Sequence, residues 1–147
     1  MKVLNILCQK GAMDYTIVVN AVASCSMGEQ YIAPYTAAML GEYFMYSGKH
    51  VLVVFDDLTR HAWAYRQICL LLERAPGREA YPGDIFYVHS QLVERAAYLK
   101  PELGSGSMTF FPITEILQGD VTGFVSSNLI SMTDGQIYFN ITLFNKG

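Results

Sequence analysis

Long hydrophobic runs are missing from this sequence. A helix that spans a bilayer needs about 20 consecutive apolar residues, and the nearest candidate stretch, residues 31–47, is interrupted by Pro34, Gly41 and Glu42. The first five residues also lack the charged, apolar and small-residue regions of a secretory signal. We therefore expect no membrane span, and we expect a reducing compartment.

Charge is scarce, and positive charge is scarcer still. Charged residues make up 16% of the 147-residue chain, and 10 Lys and Arg against 13 Asp and Glu leave a net charge of −3. This balance excludes a nucleic-acid binder that works by bulk positive charge. Hydrophobic residues reach 52%, which excludes a disordered chain and predicts that more chain, partner subunits or lipid cover part of its surface.

Cysteine and histidine occur in no metal-binding or disulfide pattern. The three cysteines, Cys8, Cys25 and Cys69, form no CxxC pair and leave one thiol unpaired in any disulfide scheme. The three histidines stand alone in the sequence. We expect buried free thiols and no zinc site.

A phosphate-binding loop is also missing. Nothing in the chain matches G-x-x-x-x-G-K-[ST], whose backbone amides and lysine hold phosphates. Lys49 follows a glycine but precedes a strand, and residues 104–107 contain no lysine. No nucleophile motif of the G-x-S-x-G type occurs either. The sequence therefore names no catalytic residue, and the chain alone is expected to be inactive.

What is present is an alternation of helical and strand patterns. Apolar spacings predict helices over residues 2–9, 28–46 and 58–73, and β-branched or continuous apolar runs predict strands over residues 15–22 and 51–55. Because parallel strands need crossover helices, this order indicates an α/β fold with a mainly parallel sheet flanked by helices. Further along we expect a loop at 75–84, a helix at 89–99, and strands at 108–116, 128–131 and 136–143.

The strand at 51–55 runs into Asp56 and Asp57, which is the pattern of a Walker-B segment. A carboxylate at the carboxyl end of a buried strand can hold the water shell of Mg²⁺ beside a nucleotide. The alternative is that the aspartates only cap the following helix. Glu115 and Gln118 lie near a second predicted strand end, where either a ligand contact or a solvated end would suit them.

Several longer motifs are far more specific. The stretch PGREAYPGDIFY at residues 76–87 resembles the alpha subunit of the rotary, F-type ATP synthase. Further short segments resemble that family in the same order along the chain, at residues 11–19, 30–35, 41–44, 56–58, 64–67, 89–90, 94–97 and 130–137. The resemblance covers essentially the whole chain, although His61 and Trp63 stand where the family usually has a polar and a small apolar residue.

The resemblance implies a RecA-like P-loop NTPase core. It makes residues 1–147 a partial, incomplete nucleotide-binding domain. The family's P-loop would precede Met1, and its arginine that enters the neighbouring catalytic site would follow Gly147. Such a subunit takes Mg²⁺ and ATP or ADP at a regulatory site that does not turn over. Tight nucleotide binding by this chain alone is not expected.

The resemblance also assigns roles to individual residues. Asp56 would hold Mg²⁺ through water, and Ser131 and Asp134 would lie at the catalytic interface with a beta subunit. The loop that contacts the rotating gamma subunit would consist of Ala75, Pro76, Gly77, Arg78, Glu79, Ala80, Tyr81 and Pro82. Within it, Ala80 and Tyr81 would offer an apolar contact surface.

The implied function is that of scaffold and interface in ATP synthesis coupled to ion transport. The partners would be beta and gamma subunits, in a complex peripheral to the cytoplasmic face of a bacterial membrane or its mitochondrial or chloroplast equivalent. No nucleic-acid partner is expected, while self-association of the isolated chain is. The alternatives are a stand-alone, non-catalytic interaction module derived from that domain, and an independent NTPase with an unrecognised phosphate site.

Overall fold

The computed structural model describes residues 2–116 and 119–147. These residues form an α/β fold in which helices flank a small sheet. The helices are α1 (Lys2–Gln9), α2 (Met27–Tyr46), α3 (Leu58–Leu71), α4 (Ile85–Val93), α5 (Phe124–Met132) and α6 (Ile141–Phe144), and the strands are β1 (His50–Phe55), β2 (Ala97–Tyr98) and β3 (Ser107–Pro112). Short 3₁₀ helices lie at Ala12–Tyr15, Arg78–Ala80 and Pro101–Leu103.

The sheet is mixed, with the strand order β1-β3-β2. β1 and β3 pair in parallel at six positions, from His50 opposite Ser107 to Phe55 opposite Pro112. β2 adds an antiparallel pair of only two positions. The parallel pair is the predicted arrangement, because α3 and α4 supply the crossover between β1 and β3.

Helix α2 is the longest element, and its start follows from local chemistry. The Ser26 hydroxyl accepts a hydrogen bond from the Glu29 N–H, while the Glu29 carboxylate accepts one from the Ser26 N–H at 2.8 Å. This reciprocal capping box satisfies two backbone donors that the first turn leaves free. Gly41 then lets the helix approach the sheet closely, since a Cβ there would lie 2.7 Å from the Met108 sulfur.

The core lies on one face of the sheet. Val53, Phe55 and Met108 are buried there against α2, α3 and α4. On the opposite face Leu52, Val54 and Phe111 stay about half exposed. The sheet is therefore covered on one side by the described residues and open on the other.

Three strand predictions are wrong. Residues 15–22 form the end of a 3₁₀ helix and irregular chain, in which Ile17, Val18 and Val19 are exposed, because no strand among the described residues pairs with them. Residues 128–131 belong to α5, whose buried Val125 and Leu129 follow a helical spacing. Residues 136–143 are irregular up to Asn140, whose side chain caps α6.

Most of the remaining predicted elements are confirmed with shifted ends, but the helix expected at 89–99 is right only over 89–93, since Ala97–Tyr98 form β2. The helix expected at 89–99 is α4, which begins at Ile85 after the Pro82-Gly83 turn and ends at Val93. The strand expected at 108–116 begins at Ser107 and ends at Pro112.

The thiols are free, as expected, but their burial differs. Cys69 is buried, Cys25 is half-buried and Cys8 is exposed, so the prediction of buried thiols holds only for Cys69. Within residues 2–116 and 119–147, no helix has both the length and the apolar character needed to cross a bilayer.

Candidate functional site

Asp56 lies at the carboxyl end of β1. The parallel pairing with β3 continues just beyond the strand, where the Ile113 N–H donates to the Phe55 carbonyl at 3.0 Å. The Leu58 N–H then donates to the Ile113 carbonyl at 2.9 Å. Because parallel strands end at one edge, Asp56 stands at the sheet edge where open α/β folds bind ligands.

Its neighbour Asp57 has a different task. Asp57 is the N-cap of α3, and its carboxylate accepts a hydrogen bond from the Arg60 N–H at 2.7 Å. Burial raises the pKa of the Asp57 carboxyl, and the negative charge of Glu115 adds to that rise. Asp56 is exposed and makes no side-chain hydrogen bond within the described residues. The capping function therefore falls to Asp57 and leaves the Asp56 carboxylate available to a ligand.

A cleft of about 160 Å³ opens beside the two aspartates. Its walls are residues 19–21, the first half of α2, the end of β1 and the start of α3. Asn20, Gln30 and Arg60 contribute polar groups to it. The cleft thus brings two side-chain amides and a guanidinium close to the two carboxylates at the sheet edge, in one concave site.

Arg60 does not point a free cation into this cleft. Its guanidinium lies 3.4 Å from the Glu115 carboxylate and 4.7 Å from the centre of the Trp63 ring. The Glu115 N–H donates to the Thr59 hydroxyl at 3.0 Å, which fixes the chain after β3 against α3. Glu115 therefore serves as an ion-pair partner at this edge, and Gln118 lies outside the described residues.

The loop of residues 75–82 is exposed up to Ala80 and buried after it. Glu79 and Ala80 adopt left-handed backbone angles, with φ of 53° and 60°. Tyr81 is only 6% exposed and lies under the Arg66 guanidinium, 4.8 Å away. The expected apolar surface is therefore wrong for Tyr81, which anchors the loop inward because its ring fills the core.

The same loop is fastened to the start of α5. The Phe124 N–H donates to the Glu79 carboxylate at 3.3 Å, and the Arg78 guanidinium lies 5.7 Å from the centre of the Phe124 ring. The Tyr81 and Phe124 ring centres are 6.0 Å apart. Arg78, Glu79 and Tyr81 thus all contact Phe124, and together they attach the loop to the start of α5. These contacts also hold the two residues with left-handed backbone angles in place.

Ser131 and Asp134 lie at the other end of α5. The Ser131 hydroxyl is exposed and donates to the Asn128 carbonyl at 2.7 Å. Asp134 follows the last turn of the helix and is also exposed. Neither residue lines the cleft at Asp56. The predicted site residues therefore occupy separate surfaces, one at the sheet edge and one along α5 and its loop.

A comparison with protein families decides the identity of the fold. The model of the ATP synthase alpha/beta family, nucleotide-binding domain, matches residues 1–147. The chain belongs to the ATP synthase alpha/beta family. Membership of this family implies partners from an ATP synthase complex in general.

The cleft of this ATP synthase family member suits one half of a magnesium nucleotide. A free carboxylate and side-chain amides suit Mg²⁺, which keeps most of its own water and needs few protein ligands. Among residues 2–116 and 119–147, no three His, Cys, Asp or Glu side chains gather into a closed metal cage. The one cation that lines the cleft, Arg60, is paired with Glu115. The residues therefore fit the metal side of the ligand and provide no phosphate cradle.

Two features of the site were not visible in the sequence pattern. Asn20 and Gln30 line the cleft from segments with no motif of their own. His61 also lines it and packs against His89 of α4, at 5.4 Å between ring centres. The sequence could have indicated this pair only through helical periodicity, which places each histidine on the same helix face as the buried apolar residues of α3 or α4.

Proposed function

We propose that this chain acts as an alpha-type nucleotide-binding domain in the head of a rotary ATP synthase. Its role is regulatory and structural, and ATP forms mainly on the neighbouring beta subunits. The observation that carries the proposal is the free Asp56 carboxylate at the carboxyl edge of the sheet. The motif at residues 76–87 supports alpha over beta.

Asp56 is the residue that meets the cofactor in this proposal. It accepts hydrogen bonds from water on Mg²⁺ that accompanies ATP or ADP, and bound Mg²⁺ neutralises phosphate charge. Asp57 keeps α3 capped, so the backbone beside Asp56 stays in place. The chain alone contributes the metal side only and does not hold nucleotide tightly.

The exposed surfaces along α5 and its loop are the proposed subunit contacts. Ser131 and Asp134 face a beta subunit at the catalytic interface, and their exposure supports this. Residues 75–80, exposed on the loop, meet the gamma rotor. Rotor movement driven by ion transport then reaches the head, which lies peripherally at the cytoplasmic face of a bacterial membrane or its organellar equivalent.

Calorimetric titration of the chain with Mg·ATP tests whether the chain can bind nucleotide when it contributes only a ligand for Mg²⁺ and no phosphate-binding loop. We expect no binding up to millimolar nucleotide by the wild-type chain, in a sample whose circular dichroism shows it to be folded. Micromolar binding that Asp56→Ala abolishes would contradict the proposal and support an independent NTPase. Asp14→Ala, an exposed acid outside the cleft, is the matched control.

The effect of Asp56→Ala in a complex assembled with full-length subunits distinguishes an alpha-type from a beta-type subunit. In an alpha-type subunit, Asp56→Ala should reduce the nucleotide retained per complex while ATP hydrolysis stays within about twofold of wild type. In a beta-type subunit the same change removes a ligand of the catalytic metal, and hydrolysis should fall by about 100-fold or more. The second result would refute the alpha assignment.

A further inference from the structure

Two of the three histidines meet in the core. His61 on α3 is 2% exposed and His89 on α4 is fully buried. Their ring centres are 5.4 Å apart, with an angle of 33° between the planes. His50, in contrast, lies on the surface, where its Nδ1 is 2.9 Å from the Ser107 hydroxyl. The chain thus contains a buried histidine pair and an exposed reference histidine.

Both buried rings are without hydrogen-bond partners. Among the described residues, neither ring nitrogen of His61 or of His89 has one. The Tyr31 ring stacks on His61 at 5.0 Å and 10°, and the Tyr35 ring meets it edge-on at 5.7 Å. No third metal-ligating residue joins them in the described part of the chain. The pair is therefore an uncharged aromatic contact and not a metal centre.

Among the described residues, no charged group makes a hydrogen bond with either ring. From α2 the facing titratable groups are Tyr31 and Tyr35, and Tyr65 stacks on Tyr31 from α3. The ion pairs Glu42–Arg95 and Asp84–Arg74 are linked to the cluster through Tyr35 and Tyr65, and within each pair the two charges neutralise each other. α5, which packs on α4, contains no titratable side chain. On the cleft side, which His61 lines, stand the Asp56 carboxylate, the Asp57 carboxylate that caps α3, and the Arg60 guanidinium, which is paired with Glu115.

Burial acts on both rings in the same direction. It lowers the pKa of His61 to about 3, with a further lowering from His89 and an opposing effect of the nearby Tyr31 backbone, which does not reach hydrogen-bond geometry with the ring. Burial lowers the pKa of His89 to about 4. In an unfolded chain both would titrate near the ordinary value of about 6.5.

We propose that His61 and His89 form an acid-sensitive latch, which holds α2, α3 and α4 together while both rings are neutral and releases them when either ring takes a proton. The latch does not depend on the proposed function. It would still affect the site, because His61 lines the cleft beside Asp56, so that release of α3 would move one cleft wall.

The direction of the pH effect follows from proton uptake. Between the folded and the ordinary pKa values, the unfolded chain binds protons that the folded chain rejects, so falling pH favours unfolding. Above about pH 7.5 both states are neutral and the latch has no pH dependence. As pH falls from 8 to 5, each histidine should raise the unfolding equilibrium constant by about 30-fold, and both together by about 1000-fold.

Urea unfolding of the full chain at a series of pH values tests the latch. His61→Phe and His89→Phe keep an aromatic ring but cannot titrate, so each should remove about 30-fold of the acid sensitivity between pH 8 and 5. His50→Phe, the exposed control, should retain nearly all of it. Equal pH dependence in wild type and both core variants would overturn the proposal.

Ring proton resonances of wild-type protein give a second measurement that needs no core substitution. The His61 and His89 resonances should stay in the neutral position until the native spectrum disappears in acid. If they instead shift near pH 6.5 while the native spectrum persists, the rings accept protons inside the fold and the latch is refuted.

Discussion

At the scale of single residues, two ion pairs of this domain differ in how they are built. The Arg95 guanidinium meets Glu42 with two bonds, Nε to Oε1 at 2.6 Å and Nη2 to Oε2 at 2.7 Å, and both side chains are about a quarter exposed. Arg60 meets Glu115 at a single distance of 3.4 Å, and both are about half exposed. Paired, partly desolvated bonds contribute far more than one solvated contact.

Glu42→Gln should therefore destabilise the chain by about 1 to 2 kcal/mol at pH 7, measured by urea unfolding. The hydrogen bonds from Arg95 lower the pKa of the Glu42 carboxyl below 4.5 in the folded state. Its stabilisation is thus complete above pH 4.5 and is lost as pH falls through the folded pKa, so the variant and wild type should converge in acid. Glu115→Gln, the matched control, should cost less than about 0.5 kcal/mol. An equal loss in both variants would contradict the distinction.

At the scale of elements, Gly106 lies where the end of α2, the start of β1 and the start of β3 come into close backbone contact. A Cβ at this position would lie 1.9 Å from the Met45 carbonyl oxygen and 3.1 Å from the Lys49 oxygen, both of which are backbone atoms. The Gly106 carbonyl also accepts the Leu99 N–H at 2.8 Å, which fixes β2. Little can move here without breaking a strand contact.

Gly106→Ala should therefore cost about 3 kcal/mol or more, because backbone cannot shift as a flexible side chain does. Thermal unfolding followed by circular dichroism measures this. Gly83→Ala is the matched control, since nothing lies within 4 Å of its added Cβ, and its effect should stay within about 1 kcal/mol. Similar melting temperatures for the two variants would show that Met45 and Gly106 are not in close contact.

The same scale shows what a sequence can and cannot predict. α2, β1 and α3 were predictable because capping residues and apolar periodicity agree with their final packing. The strand expected at 15–22 was wrong because a strand also needs a neighbouring strand to pair with. The β-branched residues 16–19 show strand propensity, but propensity carries no information about a pairing partner. α5 was misread because the short apolar pair Leu129-Ile130 favoured a strand at 128–131, whereas the helical spacing of the buried Val125 and Leu129 begins before that stretch.

The site follows the same division. Asp56 was predictable, since a buried strand that runs into a carboxylate places it at the sheet edge. The inward anchoring of Tyr81 was not, because it depends on Arg66 and Phe124 from two other elements. The His61–His89 contact was equally hidden, since it depends on how α3 and α4 pack together.

At the scale of the whole molecule, apolar surface is distributed unevenly. The open face of the sheet presents Leu52, Val54 and Phe111, and β1 has β3 as its only strand neighbour within the described residues. A second exposed patch lies at residues 137–144, where Phe139 and Phe144 are more than 80% exposed. Exposed apolar faces beside an unpaired strand edge favour association between copies.

The isolated chain should therefore self-associate, and the sheet face should contribute most because it lies beside the open β1 edge. In sedimentation velocity over about a tenfold concentration range, the average mass should rise above the 16.4 kDa of the monomer. Leu52→Thr with Val54→Thr should reduce that rise while retaining strand propensity. Leu71→Thr with Leu103→Thr is the control, because these two leucines are more exposed than Leu52 and Val54 and lie outside the strands. An unchanged monomer mass at all concentrations would show that the open face is stable in water, and equal effects of the two double variants would place the contact elsewhere.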